Sequence, residues 1–267
     1  MKPIVFLGGG RITGALIAGL RLSGYKGTLV VHDHNPGKMS ALKKQHGVHA
    51  GRDLGSSVKQ AGILIVAVRP ASVSALLDEV ALQRPGPLLA VSLAAGIPLA
   101  QLRAHLGAPV RWTRAMPSPA CRFGNGLTAL AFEPGLPRTL SREATSLFGR
   151  VGPVLEIPET QFDAFTVAYS SSHGYHALAA LAEAAQKLGL NRKTSLAAAA
   201  HALADGIVSW RKHQLSLEDL LHEAATPGGI AATVMETMDA RGYPDAVEHG
   251  LRAGLARARA NAALRRR

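Results

Sequence analysis

The sequence predicts an α/β chain in two parts: a doubly wound parallel sheet over residues 1–160, then an all-helical region over 161–267. Three observations predict it. Short apolar, strand-like runs alternate with helical periodicity in the first half, the grammar of a sheet covered by helices on both faces. One run, Ile63-Leu64-Ile65-Val66-Ala67-Val68, is continuously apolar, as a strand buried on both faces must be. Beyond about residue 160 the strands stop, and helical patterns are punctuated by Gly189, Pro227-Gly228-Gly229 and Gly242-Tyr243-Pro244.

The elements follow in order. Met1 to Leu7 reads as a strand, then Gly8-Gly9-Gly10, then a helix with apolar positions at Ile12, Ala15, Leu16 and Leu20. Gly27 to Asp33 is a second strand, and a helix follows from Pro36 to His46. After the apolar run at 63–68 comes a helix from Val73 to Leu82. Leu88 to Leu93, Val110 to Ala115 and Leu127 to Phe132 read as strands, and Val154 to Ile157 closes the sheet. The helical region holds Phe162 to Leu188 as one long helix, then Lys193 to His213, Leu217 to Ala225, Ile230 to Ala240 and Ala246 to the C-terminus. Small residues such as Ala179, Ala180, Ala184 and Ala198 to Ala200 allow close helix contacts.

Composition narrows the class. Hydrophobic residues make up 47% of the 267-residue chain but aromatics only 4%, so the core is aliphatic and alanine-rich. The single cysteine, Cys121, excludes an internal disulfide and a CxxC metal or redox site. The opening apolar run is too short for a signal peptide, and no stretch reaches the ~20 apolar residues that span a membrane. A cytoplasmic protein is expected. The formal charge of +12 raises the question of nucleic acid. Basic residues are scattered except in the tail Arg257, Arg259, Arg265, Arg266 and Arg267, and none is interleaved with the aromatics that base stacking requires. Nucleic acid is therefore not the expected partner, and the charge instead favours anionic cofactors and substrates. The eleven histidines show no metal-ligand grouping, and His32, His34, His46 and His49 read as surface residues.

Strand, glycine turn, helix is the context of a dinucleotide fingerprint. Gly8 permits the tight turn. Gly10 lets a pyrophosphate approach the backbone, and the helix starting at Arg11, Ile12 and Thr13 offers its unpaired N–H groups and positive dipole end. Thr13 replaces the third glycine, with Gly14 one place on. Asp33 stands about 20 residues further, where an acidic residue grips the ribose 2′-OH of NAD. The first domain is thus expected to be a Rossmann-type NAD(P)-binding domain.

A series of segments, in order, resembles the pyrroline-5-carboxylate reductase family over nearly the whole chain. They are Phe6 to Gly10, Asp33-His34-Asn35-Pro36-Gly37-Lys38, Ala67-Val68-Arg69-Pro70 and Ser92 to Ile97. Arg114-Ala115-Met116-Pro117-Ser118, Gly124 to Thr128, Asp163 to Thr166 and Thr226-Pro227-Gly228-Gly229 complete the series. The resemblance implies hydride transfer from NAD(P)H to a cyclic imine, and a homodimer, or a higher oligomer, built by the helical domain. It places Val68, Arg69 and Pro70 beside the cofactor, with an Arg where the family has Lys. It keeps the Ala94-Ala95-Gly96 backbone close to the cofactor, and Met116 and Pro117 shape the pocket at the nicotinamide. The family often carries an acidic residue at the position of Asp33 and still uses NADP. Arg11, His34 and Asn35 are then the 2′-phosphate candidates, so NADP is expected, with NAD possible. Hydride transfer needs neither a metal nor a protein nucleophile, only a cofactor ring held against the electrophile in a dry slot.

The substrate end departs from the family. Its S-G-S-G-P-A-Y motif reads Ser170-Ser171-Ser172-His173-Gly174-Tyr175-His176 here, and two hydroxyl positions after Gly229 are Ile230 and Ala231. A buried carboxylate without donors is costly. Ser172, His173, His176 and Thr226 are therefore the candidates for substrate binding and proton delivery, since histidine can both donate to a carboxylate and release a proton. Two alternatives stay open: a reductase of a less polar imine or carbonyl compound, and a non-catalytic dinucleotide-binding protein.

Overall fold

The computed structural model describes residues 2–212 and 216–263. Met1, the helix end expected at His213, and Arg265, Arg266 and Arg267 lie outside the described residues. Packing divides the chain into two units, Met1–Tyr169 with Gly254–Arg267, and Ser170–Ala253.

The first unit begins with β1 (Ile4–Leu7), α1 (Arg11–Leu22), β2 (Leu29–His32), α2 (Pro36–His46), β3 (His49–Ala50), α3 (Leu54–Gln60) and β4 (Ile63–Val66). It continues with α4 (Val73–Leu82), β5 (Leu88–Ser92), α5 (Leu99–His105), β6 (Val110–Pro117) and β7 (Thr128–Phe132). It closes with α6 (Arg138–Gly149), β8 (Val154–Glu156) and α7 (Glu159–Ala168). The eight strands form one sheet in the order β3-β2-β1-β4-β5-β6-β7-β8. All neighbours are parallel except β6 and β7. The order reverses between β1 and β4, which opens the crevice where such sheets take their ligands.

Alternation along each strand builds two cores. Ile4, Phe6, Ile63, Ile65, Leu89 and Val91 face one layer with Leu16, Leu20 and Phe148. Val5, Leu7, Leu64, Val66 and Ala90 face the other with Leu77, Leu102 and Trp112. Burying each large side chain contributes about 1.5–3 kcal/mol, and a period of two sends alternate residues to opposite faces. Four elements that the sequence pattern does not mark, β3, α3, α5 and α6, lie between the expected ones. α3 and α5 are seven-residue helices and β3 is a two-residue strand, too short for periodicity to register, whereas α6 is twelve residues long but buries only Ala144, Leu147 and Phe148, all in its second half.

The second unit contains α8 (Ser171–Lys187), α9 (Arg192–Lys212), α10 (Leu217–Ala224) and α11 (Ile230–Ala240). It also holds the first turns of α12 (Tyr243–Ala262), whose turns from Gly254 onward belong to the first unit. The single helix expected from Phe162 to Leu188 is instead two, α7 and α8. Tyr169 ends α7, and Ser170 takes an extended conformation and caps α8, its Oγ accepting from Ser172 N. A serine that satisfies a free helix N–H favours a new start over continuation. The first unit runs past residue 160 to Tyr169 because Phe162 of α7 is buried against Ala129 and Ala131 of β7.

Candidate active site

The turn after β1 is dictated by contact. Gly8 has φ +111°, and a Cβ there would lie 2.6 Å from the Ala67 carbonyl oxygen at the end of β4. Only glycine lets the two strands meet at the crevice. Thr13, fully buried, donates its hydroxyl to Gly8 O at 2.6 Å and closes the turn. This is why a threonine serves where the fingerprint has its third glycine. Gly10 is different: a Cβ there would meet nothing within 4 Å. It caps α1 without a side-chain acceptor, and no acidic residue sits in the first turn. The N–H groups of that turn are therefore unclaimed by any capping side chain, in the open space that a pyrophosphate requires.

Asp33 follows β2 and is 8% exposed. Its Oδ2 accepts from Gly9 N at 2.7 Å and its Oδ1 from Asn35 N at 2.8 Å, with Lys38 Nζ at 3.4 Å. Burial opposes its charge, but the Gly9 and Asn35 hydrogen bonds and Lys38 outweigh it and hold the carboxyl below its usual range. Asp33 thus stitches the glycine turn to the end of β2, and both its oxygens are engaged within the fold. His34 and Arg11 are exposed. Asn35 caps α2, its Oδ1 accepting from Gly37 N and Lys38 N. Lys38, which is not among the expected site residues, brings its ammonium to this corner, and its side chain is 45% exposed.

The remaining cofactor candidates follow the parallel strands to the same edge of the sheet. Val68, Arg69 and Pro70 come after β4, with Arg69 exposed and Pro70 opening a 3-10 turn. Ala94, Ala95 and Gly96 follow β5, with Gly96 at φ +75°. Met116 and Pro117 end β6, and Met116 packs against the Ala129–Phe162 cluster.

Beneath Met116 lies a charge that the sequence reading left unassigned. Arg114, 1% exposed, reaches Asp163 Oδ1 at 2.5 Å and Glu159 Oε1 at 3.5 Å, and its guanidinium stacks 4.2 Å from the Phe162 ring centroid. Glu159 also accepts from Leu99 N at 2.6 Å. An arginine in a strand flanked by strands on both sides was the available signal, because a buried guanidinium demands carboxylate partners.

Ser172, His173 and His176 share the first turns of α8 and are exposed within the chain, as is Thr226 in the turn before α11. Ser172 Oγ lies 2.7 Å from Ser170 Oγ. The three α8 residues are thus grouped, while Thr226 stands on a separate segment of the same unit. Ile230 is 87% exposed at the start of α11. That helix is capped by Gly229, again without a side-chain acceptor. Of the histidines expected at the surface, His34 and His49 are exposed. His32, the last residue of β2, and His46, the last residue of α2, whose carbonyl accepts from Arg21 Nε, are instead half-buried. Burial, with Arg122 and Arg21 nearby, lowers the His46 pKa. Among the described residues no group of three or more His, Cys, Asp or Glu is placed to hold a metal ion, and no helix is long and apolar enough to cross a membrane.

Fold and site together define a dinucleotide-binding oxidoreductase with a helical second unit. Residues 159–261 match the family model for pyrroline-5-carboxylate reductase dimerisation, and residues 3–96 the model for NADP oxidoreductase, coenzyme F420-dependent. The pyrroline-5-carboxylate reductase of Thermus thermophilus is 32% identical, covering 94% of this chain and 97% of that one. That of Mycobacterium tuberculosis is 29% identical over 96% of each. The Plasmodium falciparum pyrroline carboxylate reductase, solved with NADP bound, superposes with a TM-score of 0.87 at 19% identity, covering 98% of each chain. The chain belongs to the pyrroline-5-carboxylate reductase family.

Proposed function

We propose that this protein reduces 1-pyrroline-5-carboxylate to proline with NADPH, as a cytoplasmic homodimer. The observation that carries the reading is the uncapped N-terminus of α1 beside the open space at Gly10, at the sheet's switch point, in a chain of this family. NADPH, when bound, supplies the hydride. The chain's own residues do the rest. Gly8, Gly10 and the N–H groups of Arg11, Ile12 and Thr13 hold the pyrophosphate. Val68, Arg69, Pro70 and the Ala94–Gly96 turn border the cofactor, and Met116 and Pro117 line the nicotinamide end.

The preference for NADP over NAD is supported by Asp33, whose oxygens serve Gly9, Asn35 and Lys38 rather than a ribose. Arg11, His34, Asn35 and Lys38 supply donors and positive charge for a 2′-phosphate. Ser172, His173, His176 and Thr226 are assigned to the substrate, orienting the imine and delivering its proton. The carboxylate also has the backbone N–H groups at the start of α11, which do not depend on the side chains of Ile230 and Ala231. Those two apolar residues support a second reading, a preference for a less polar imine.

The dimer is supported by the second unit itself. Among its described residues only Ala182, Ser195, Ala199 and Ala232 are buried, while Leu188, Leu196, Ile207, Trp210, Val234 and Val247 are exposed. Such a unit needs a partner surface to complete its core. The test is NADPH consumption at 340 nm with 1-pyrroline-5-carboxylate and with the decarboxylated ring, 1-pyrroline. Turnover of the carboxylate supports the assignment, turnover of 1-pyrroline alone supports the second reading, and consumption with neither overturns both.

A further inference from the structure

The Ala94–Gly96 turn is shaped by the far end of the chain. Asn261 Nδ2 donates to Ala95 O at 3.2 Å, across 166 residues of sequence. One residue on, Gly96 lies so close to the last helix that a Cβ would overlap the Ala258 carbonyl oxygen, with Asn261 Cβ at 3.1 Å. Gly96 therefore answers to two constraints at once, a φ of +75° and the helix backbone against it. On the helix, Gly254, Ala258 and Asn261 are spaced i, i+4 and i+7 and form one stripe. Ala258 is buried, and a Cβ at Gly254 would touch Val167 of α7 at 3.4 Å. Small residues let the helix approach, and the amide at the end of the stripe holds the turn. The other end of the turn is held from α7, where Glu159 accepts from Leu99 N and pairs with Arg114.

We propose that the last turns of α12 form a fixed support behind the nicotinamide turn, and that Asn261 is a positioning residue for hydride transfer. The proposal rests on the reading that the Ala94–Gly96 turn borders the nicotinamide. Its physical basis is the steep dependence of transfer on placement, since a displacement of about 1 Å can cost ~100-fold in rate. Helix ends fray, so a hydrogen bond from the final turn determines whether the helix end stays seated on the Ala95–Gly96 peptide.

The test compares the wild type with Asn261→Ala and with Asn261→Asp, which is isosteric but places an oxygen against Ala95 O. Three readouts are taken: amide hydrogen exchange over residues 93–99, kcat with NADPH, and the primary isotope effect with the 4-deuterated NADPH epimer whose deuterium is transferred. The expected result is exchange about tenfold faster in that segment, kcat about tenfold lower, a larger isotope effect, and little change in the imine KM. A loss of stability alone would leave the isotope effect where it was. Unchanged kcat and isotope effect in a folded Asn261→Asp variant would overturn the proposal while leaving the functional reading intact. A wild-type chain that transfers no hydride would overturn that reading itself, and would be seen before any variant was made.

Discussion

Gly8 and Gly10 look interchangeable in the sequence but answer to different forces. At Gly8 both φ and the Ala67 carbonyl exclude a side chain, so Gly8→Ala is predicted to destabilise the first unit by about 1–3 kcal/mol, measured by urea unfolding. At Gly10 the space is open, so Gly10→Val is predicted to keep the unfolding midpoint nearly unchanged and abolish NADPH binding in a fluorescence titration. A Gly10→Val variant that still bound NADPH would show that the pyrophosphate lies elsewhere. Asp33 gives a pH signature. Its folded pKa lies below the usual 3.8, so its contribution is present above about pH 4 and is lost as pH falls through the folded value. Asp33→Asn should cost about 1–3 kcal/mol at pH 7, and the gap to the wild type should close toward pH 2. A gap independent of pH would contradict the charged, hydrogen-bonded state. Cys121 is the converse case. Burial pushes its thiol up to about 11, so it should be inert to maleimide at neutral pH until the chain unfolds.

At the scale of elements, the longer strands and most longer helices were legible because burial on both faces writes continuous apolar runs and exposure on one face writes a 3.6 period; α6 was not, because the first half of its sequence is mostly polar and its buried residues fall in the second half. The cofactor turn was legible for the same reason that Gly8 is irreplaceable: its geometry admits few residues. Three further things were not legible. The break between α7 and α8 depends on Ser170 competing for a backbone N–H, which apolar spacing does not record. The role of Asp33 depends on whether Gly9 and Asn35 reach its oxygens, which is set by the turn's shape rather than by its distance from Gly10. The contact of Asn261 with Ala95 joins residues far apart in sequence, and no local pattern announces it. The helix α1 adds one prediction. A Cβ at Gly19 would overlap the Cys121 carbonyl oxygen, so Gly19→Ala should cost about 1–3 kcal/mol by overpacking, despite alanine's better helix propensity. A stabilised variant would contradict that contact.

For the whole molecule, the sparse burial of Ser170–Ala253 and the function belong together. A helical unit that leaves its leucines and Trp210 exposed supports an obligate dimer. Sedimentation at micromolar concentration should give a dimer or a multiple of it, and a stable monomer would contradict this. The substrate motifs test the chemistry: restoring hydroxyls with Ile230→Thr and Ala231→Thr should lower the KM for 1-pyrroline-5-carboxylate, by about tenfold or more if each new bond to the carboxylate contributes ~1.5 kcal/mol. The most direct measurement of the central claim is steady-state oxidation of NADPH and of NADH by the purified protein with 1-pyrroline-5-carboxylate, with proline measured as product. The account predicts proline formed in step with cofactor oxidation, with NADPH giving the higher kcat/KM. NADPH bound but never oxidised, with no proline formed, would contradict it.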